Sequence, residues 1–209
     1  MSLDLPVWLG RQASCGGARR GVLLALAAVV LAGCAGLGPR AAPGSLPDPA
    51  GEHFSLEGRV SVRFGDENLS GRIAWAHARD TDEINLASPL GNQLAQIVRD
   101  AGGVLLVDSQ QQRHRAPDAE TLTERQLGWR LPLGGLVDWV RGRPSAAGAG
   151  ETGVARDAAG RLTRLDEAGW VIEFSYDGDA ARLPRRLIMN YSRGEKPLEI
   201  RLVVDTWSA

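Results

Sequence analysis

The most regular feature of the chain is an alternation of apolar and polar side chains. Phe54, Leu56, Val60, Val62 and Phe64 alternate with Ser55, Glu57, Arg59, Ser61 and Arg63, and Gly58 fills the one gap on the apolar side. Held from 54 to 64, a period of two predicts a strand with one buried face and one wet face. Gly65-Asp66-Glu67-Asn68 turns the chain into a second such segment, with Leu69, Gly71, Ile73 and Trp75 on one side. Asp80-Thr81-Asp82 reads as the next turn, and Ile84, Leu86 and Ser88 carry a third strand. Further strands are expected at 94–99, 104–108 and 112–116, separated by Asp100-Ala101-Gly102-Gly103 and Ser109-Gln110-Gln111. Short strands joined by hairpin-length turns describe an antiparallel meander.

The period then changes. Asp118 is placed to cap a short helix running to Leu127, and Pro132 opens another in which Leu133, Leu136, Val137 and Val140 recur at helical spacing, before Gly142 and Pro144 end it. Residues 143–153, rich in Gly and Ala, read as a mobile loop. Strands resume at 161–166, 170–176, 185–191 and 198–206, the last with Leu198, Ile200, Leu202 and Val204 on one side. About eleven strands are too many for a flat sheet without strong curling. The expected fold is therefore mainly β, a curved and partly closed antiparallel barrel with the two helices covering its opening.

Ahead of this body, Arg19-Arg20 precede an apolar run from Gly21 to Ala32. At about a dozen residues the run is short of the ~20 needed to span a bilayer, which makes it the apolar region of a signal peptide. It ends in Leu31-Ala32-Gly33-Cys34, which resembles a bacterial lipobox. The resemblance implies cleavage before Cys34 and lipidation of its thiol. Three segments follow: a lipoprotein signal peptide at 1–33, a Gly/Ala/Pro tether at 34–51, and one β-barrel domain at 52–209. Ala35 stands after the cysteine where an aspartate tends to retain enteric lipoproteins at the inner membrane, so outer-membrane delivery, facing the periplasm, is expected.

Composition removes several functions from consideration. A formal net charge of −1 over 209 residues gives no electrostatic case for nucleic acid. Cys15 leaves with the signal peptide, so the mature chain holds no internal disulfide. His53, His77 and His114 are far apart, and there is no nucleophile elbow or phosphate-binding glycine loop, so no catalytic, metal or cofactor site is expected. Two other features stand out. Trp75, Trp129, Trp139, Trp170 and Trp207 dominate the aromatic content of the mature chain, and an indole at a cavity rim can pack its apolar face while its N–H finds a polar partner. The turn Ser88-Pro89-Leu90-Gly91-Asn92 carries a leucine where a polar residue is usual; left in water, it forgoes the ~1.5–3 kcal/mol that burial would yield.

Together these residues resemble the LolB family of outer-membrane lipoproteins. The resemblance rests on the order and spacing of the lipobox at Cys34, Leu56-Glu57-Gly58-Arg59, Gly71 and Trp75, Ser88-Pro89-Leu90-Gly91, Leu131-Pro132-Leu133 through Trp139-Val140-Arg141-Gly142, Gly169-Trp170, Leu183-Pro184 and Trp207. It implies an open, incomplete barrel with helices over an apolar cavity. It implies a monomer that receives acylated lipoprotein cargo from the periplasmic carrier LolA and inserts it into outer-membrane lipid, with Pro89, Leu90 and Gly91 as the membrane-insertion loop. Candidate residues for the acyl-chain cavity are Leu56, Val60, Val62, Ile73, Trp75 and Leu86 from the strands, and Leu133, Leu136 and Val140 from the lid. The competing reading is a scaffold or assembly lipoprotein whose barrel is filled with its own side chains.

Overall fold

The computed structural model describes residues 52–145, 151–193 and 196–208. The expected signal peptide and the whole tether, Cys34 included, lie outside that set, as do residues 146–150 and 194–195. An 11-stranded sheet forms the body, with strands in the order β6-β5-β4-β3-β2-β1-β11-β10-β9-β8-β7. In chain order these are β1 (His53–Phe64), β2 (Glu67–Ala78), β3 (Thr81–Ala87), β4 (Gln93–Asp100), β5 (Gly103–Asp108) and β6 (Arg113–Ala116). Two helices follow, α1 (Ala119–Leu127) and α2 (Leu133–Trp139). The chain then continues through β7 (Glu151–Arg156), β8 (Leu162–Glu167), β9 (Trp170–Ser175), β10 (Arg186–Tyr191) and β11 (Leu198–Ser208). Every pairing is antiparallel, and the edge strands β6 and β7 are not paired to each other. The sheet curls without closing, and the helices lie in the stretch of chain between its two edges.

Local chemistry sets these boundaries. The Asp118 carboxylate accepts from the Thr121 backbone N–H at 2.6 Å and caps α1, and this bond holds the carboxyl below its ordinary pKa. Gly128, at φ 77, ends the helix by donating its N–H to the Glu124 carbonyl. Gly71 answers a different demand. A Cβ there would collide with the Ala87 carbonyl oxygen, so only glycine lets the end of β3 fold so closely over β2.

Among the described residues the buried core runs from Phe54 to Val204. One end of the curl is plugged by aromatics: Phe54 packs against Trp75, His77 and Trp207 with ring centroids 5.4, 5.0 and 5.6 Å apart. The Arg141 guanidinium, buried and bonded to Asp138, sits 5.6 Å from the same Phe54 ring. On the other flank, Trp139, Trp170 and Tyr191 form a second aromatic run.

Two sequence expectations are corrected. Residues 151–156, at and beyond the end of the expected mobile loop, form edge strand β7, whose small side chains carry too weak an alternation to signal it. Thr81 and Asp82, expected in the turn with Asp80, open β3, where cross-strand pairing continues to Ala78 and His77. Glu167 is buried and accepts the Ser145 backbone N–H at 3.0 Å.

Candidate functional site

A cavity of about 780 Å³ lies within the curl. Its wall is built from the inward positions of the central strands, alternate residues that the pleat turns to one side. Of the residues expected from sequence to line it, Val60, Val62, Ile73, Trp75, Leu86, Leu136 and Val140 do so. Leu56 and Leu133 do not; both are buried in the packed core. Leu56 occupies the same strand face as Val60, but its register partners are Trp75 and Trp207, at the aromatic plug.

Much of the remaining wall was not anticipated. Met189 of β10 and Ile200 and Leu202 of β11 close one side, and Ile84 and Ile97 of β3 and β4 the other. The alternation at Leu198, Ile200, Leu202 and Val204 was already visible, and extending the cavity to it was the available signal. Phe64, Leu69, Leu127, Trp129 and Leu131 complete the lining toward the solvent side. Leu69 and Leu127 remain 46% and 49% exposed, with Glu67, Asn68 and Gln126 beside them, and they mark the mouth between the β1–β2 hairpin and the end of α1.

Thr123 and Trp75 commit their polar atoms at the wall to protein partners. Thr123 donates its hydroxyl to the Ala119 carbonyl at 2.9 Å and accepts the Leu131 N–H at 2.8 Å, so it offers the cavity no free donor. Trp75 lines the cavity and donates its indole N–H to Asp82 at 2.8 Å, on the same inner face of the sheet toward the aromatic plug. Asp82 is fully enclosed, and its carboxylate also meets His77 Nδ1 at 2.8 Å and the Arg99 guanidinium. The result is a lining with apolar surface and few fixed hydrogen-bonding directions, suited to flexible hydrocarbon of no particular sequence.

The turn after β3 presents Leu90 at 90% exposure. Gly91 donates to the Ser88 carbonyl at 2.9 Å, Ser88 to the Asn92 carbonyl at 2.7 Å, and Asn92 to the Ser88 hydroxyl at 3.1 Å. These bonds, with Pro89 at the second position of the turn and Gly91 at φ 89, fix a tight loop from which Leu90 projects. The loop leaves β3 at the end of the sheet where β2 begins, the end that also carries the mouth.

The histidines do not converge. His53 is exposed, His77 is bound to Asp82, and His114 faces Asp108 at 3.0 Å. Among the described residues no group of three or more His, Cys, Asp or Glu is placed to hold a metal ion.

Fold and cavity together define a class: an open antiparallel half-barrel, covered by helices, around an apolar cavity. The particular family follows from comparison with known proteins. The family model described as Outer membrane lipoprotein LolB matches residues 52–207, and the chain belongs to that family. It is 39% identical over 191 residues to the outer-membrane lipoprotein LolB of Thiobacillus denitrificans, covering 91% of this chain and 98% of the relative. The outer-membrane lipoprotein LolB of Chromobacterium violaceum is 37% identical over 190 residues, covering 90% and 98%. That of Pseudomonas putida strain F1 is 36% identical over 191 residues, covering 85% and 90%. Among solved structures, a LolA superfamily protein from Nitrosomonas europaea aligns at a TM-score of 0.48 and 10% identity over 79% of this chain and 88% of its own, a likeness too loose to add to the assignment.

Proposed function

We propose that this protein is the receiving station for lipoproteins at the outer membrane. It takes acylated cargo from a LolA-like periplasmic carrier, holds the acyl chains in the half-barrel cavity, and releases them into outer-membrane lipid. The observation that carries this reading is the unfilled cavity with its aliphatic wall; a scaffold lipoprotein would need no such space.

The energetics make the role intelligible. Each exposed methylene of an acyl chain costs ~0.8 kcal/mol in water, so the chains must pass from one apolar shelter to another. A receiver works if it binds them better than the carrier and less well than the bilayer. A wall with few fixed polar partners, such as that formed by Val60, Ile73, Leu86 and Leu202, supplies area without tight complementarity. The lipid on Cys34 tethers the body at the destination membrane through the segment 34–51. Pro89, Leu90 and Gly91 form the insertion loop, with Leu90 entering lipid as the cargo leaves. The role requires no bond to be made or broken in the cargo and no cofactor, and the body works as a monomer.

A transfer assay tests the reading. LolA loaded with a labelled lipoprotein is mixed with a form of this protein lacking Cys34, and label is followed on the acceptor. Transfer to the acceptor is expected; retention of all label on LolA would exclude the receiver role.

A further inference from the structure

The outward face of the central strands carries a charge pattern that the cavity does not use. Arg72 of β2, Arg59 of β1, Val203 of β11 and Arg186 of β10 form one cross-strand row, and Ser70, Ser61, Arg201 and Ile188 form the next. Arg59 and Arg185 share one carboxylate, Asp205, each at 3.0–3.1 Å. Arg63 and Arg201 likewise share Glu199. Arg72 and Arg186 are exposed and make no ion pair among the described residues. Positive charge is therefore in excess on this surface. Because like charges directly opposite one another, such as Arg72 and Arg59, oppose strand pairing, the row does not serve the sheet.

Arg59, Arg72, Arg186 and Arg201 border a shallow groove of about 630 Å³ that also contains Ile188 and, at its edge, Pro89 of the exposed turn. The carboxylates Glu57 and Glu83 lie at the opposite end of the same face, in a separate depression with Ala74 and Thr206. Arg72 and Arg186 thus lie on the side of this face nearer the Leu90 turn, and Glu57 and Glu83 at its other end. A protruding apolar side chain next to a cluster of guanidinium groups matches the two layers of a bilayer surface: hydrocarbon for the leucine, phosphate for the arginine forks.

We propose that this arginine groove binds the phosphates of anionic phospholipids and so orients the body with the Leu90 turn against the membrane. The inference rests on the proposed insertion role of that turn, and it adds a site on the outer surface of the sheet, separate from the cavity.

The test uses the form lacking Cys34, so that the lipid anchor does not mask weak docking. Binding is measured by flotation with vesicles of phosphatidylcholine alone or with added phosphatidylglycerol, at low and at physiological ionic strength. Binding is expected to rise with phosphatidylglycerol and to fall with salt. The double variant Arg72→Gln with Arg186→Gln is expected to lose affinity for the anionic vesicles by roughly tenfold, while Lys at both positions retains most of it. Acceptance of cargo from the carrier in solution is expected to be unchanged in both. Equal binding to neutral and anionic vesicles, or wild-type binding by the double Gln variant, overturns the proposal. Lost cargo acceptance with vesicle binding intact also overturns it, and assigns the face to an acidic protein partner. Failure of the receiver reading is read separately, as absence of cargo transfer to the wild-type body.

Discussion

The indole N–H of Trp75 donates to the Asp82 carboxylate at 2.8 Å, so a wall residue of the cavity is held in place by a buried anion on the neighbouring strand. Asp82 stands opposite His77 in the β2–β3 register and opposite Arg99 in the β3–β4 register, and its carboxylate contacts both side chains. One carboxylate therefore clamps three strands on the inner face of the sheet, at the plugged end of the cavity. Removing it strands the buried polar groups of its partners. Asp82→Ala is expected to lower the unfolding free energy by about 3 kcal/mol, measured by urea titration, with Asp82→Asn costing less because it still offers Trp75 an acceptor. Equal stability of Asp82→Ala and wild type would show that the clamp carries no energy.

The unfilled cavity can be separated from the packed core by two substitutions. Ile73→Trp places a large ring in existing space and is expected to weaken binding of a fluorescent fatty-acid probe by about tenfold while changing stability by less than about 2 kcal/mol. Leu56→Ala removes a fully buried side chain outside the cavity. It is expected to cost about 2–5 kcal/mol of stability and to leave probe affinity unchanged. The opposite assignment of effects would place the ligand space at the plugged end.

Leu90→Glu is expected to shift unfolding by no more than ~0.5 kcal/mol, because the side chain touches little in the folded state. Its effect belongs to the last step: the variant accepts cargo from the carrier and fails to deliver it to vesicles. Delivery at the wild-type rate would remove Leu90 from the insertion role.

Gly71 and Gly134 make an opposed pair. A Cβ at Gly71 meets the Ala87 carbonyl, whereas at Gly134, in α2, it meets nothing within 4 Å. Gly71→Ala is expected to destabilise by about 1–3 kcal/mol by forcing β2 and β3 apart, and Gly134→Ala to stabilise by up to ~1 kcal/mol through backbone entropy. Thermal melts of the two variants should move in opposite directions.

How far such details could be read from sequence depended on where the information sits. The β1 face was legible because Phe54 to Phe64 alternate with Gly58 as the one gap, and the start of α1 because Asp118 carries its own capping acceptor. Depth along a strand was not. Period two tells Leu56 and Val60 to face the same way, but only the register with Trp75 and Trp207 puts one in the plug and the other on the cavity. Asp82 read as a turn residue beside Asp80 because its partners, His77 and Arg99, reach it through pairings on either side of β3. Strand β7 escaped notice because Val154 and Ala155 offer little contrast on an edge. The arginine groove was equally hidden, since its rows are assembled from strands that lie far apart in the chain.

The sheet order also has a kinetic meaning. Strands β1 to β6 pair only with sequence neighbours, and so do β7 to β11; the two series are stitched together where the first strand meets the last. Each series can zip locally, but the β1–β11 stitch must close a loop of nearly the whole body before its contacts repay the entropy. That stitch is expected to form late in folding. It is also the place where a truncated or stalled chain would expose a long, amphipathic strand edge to aggregation.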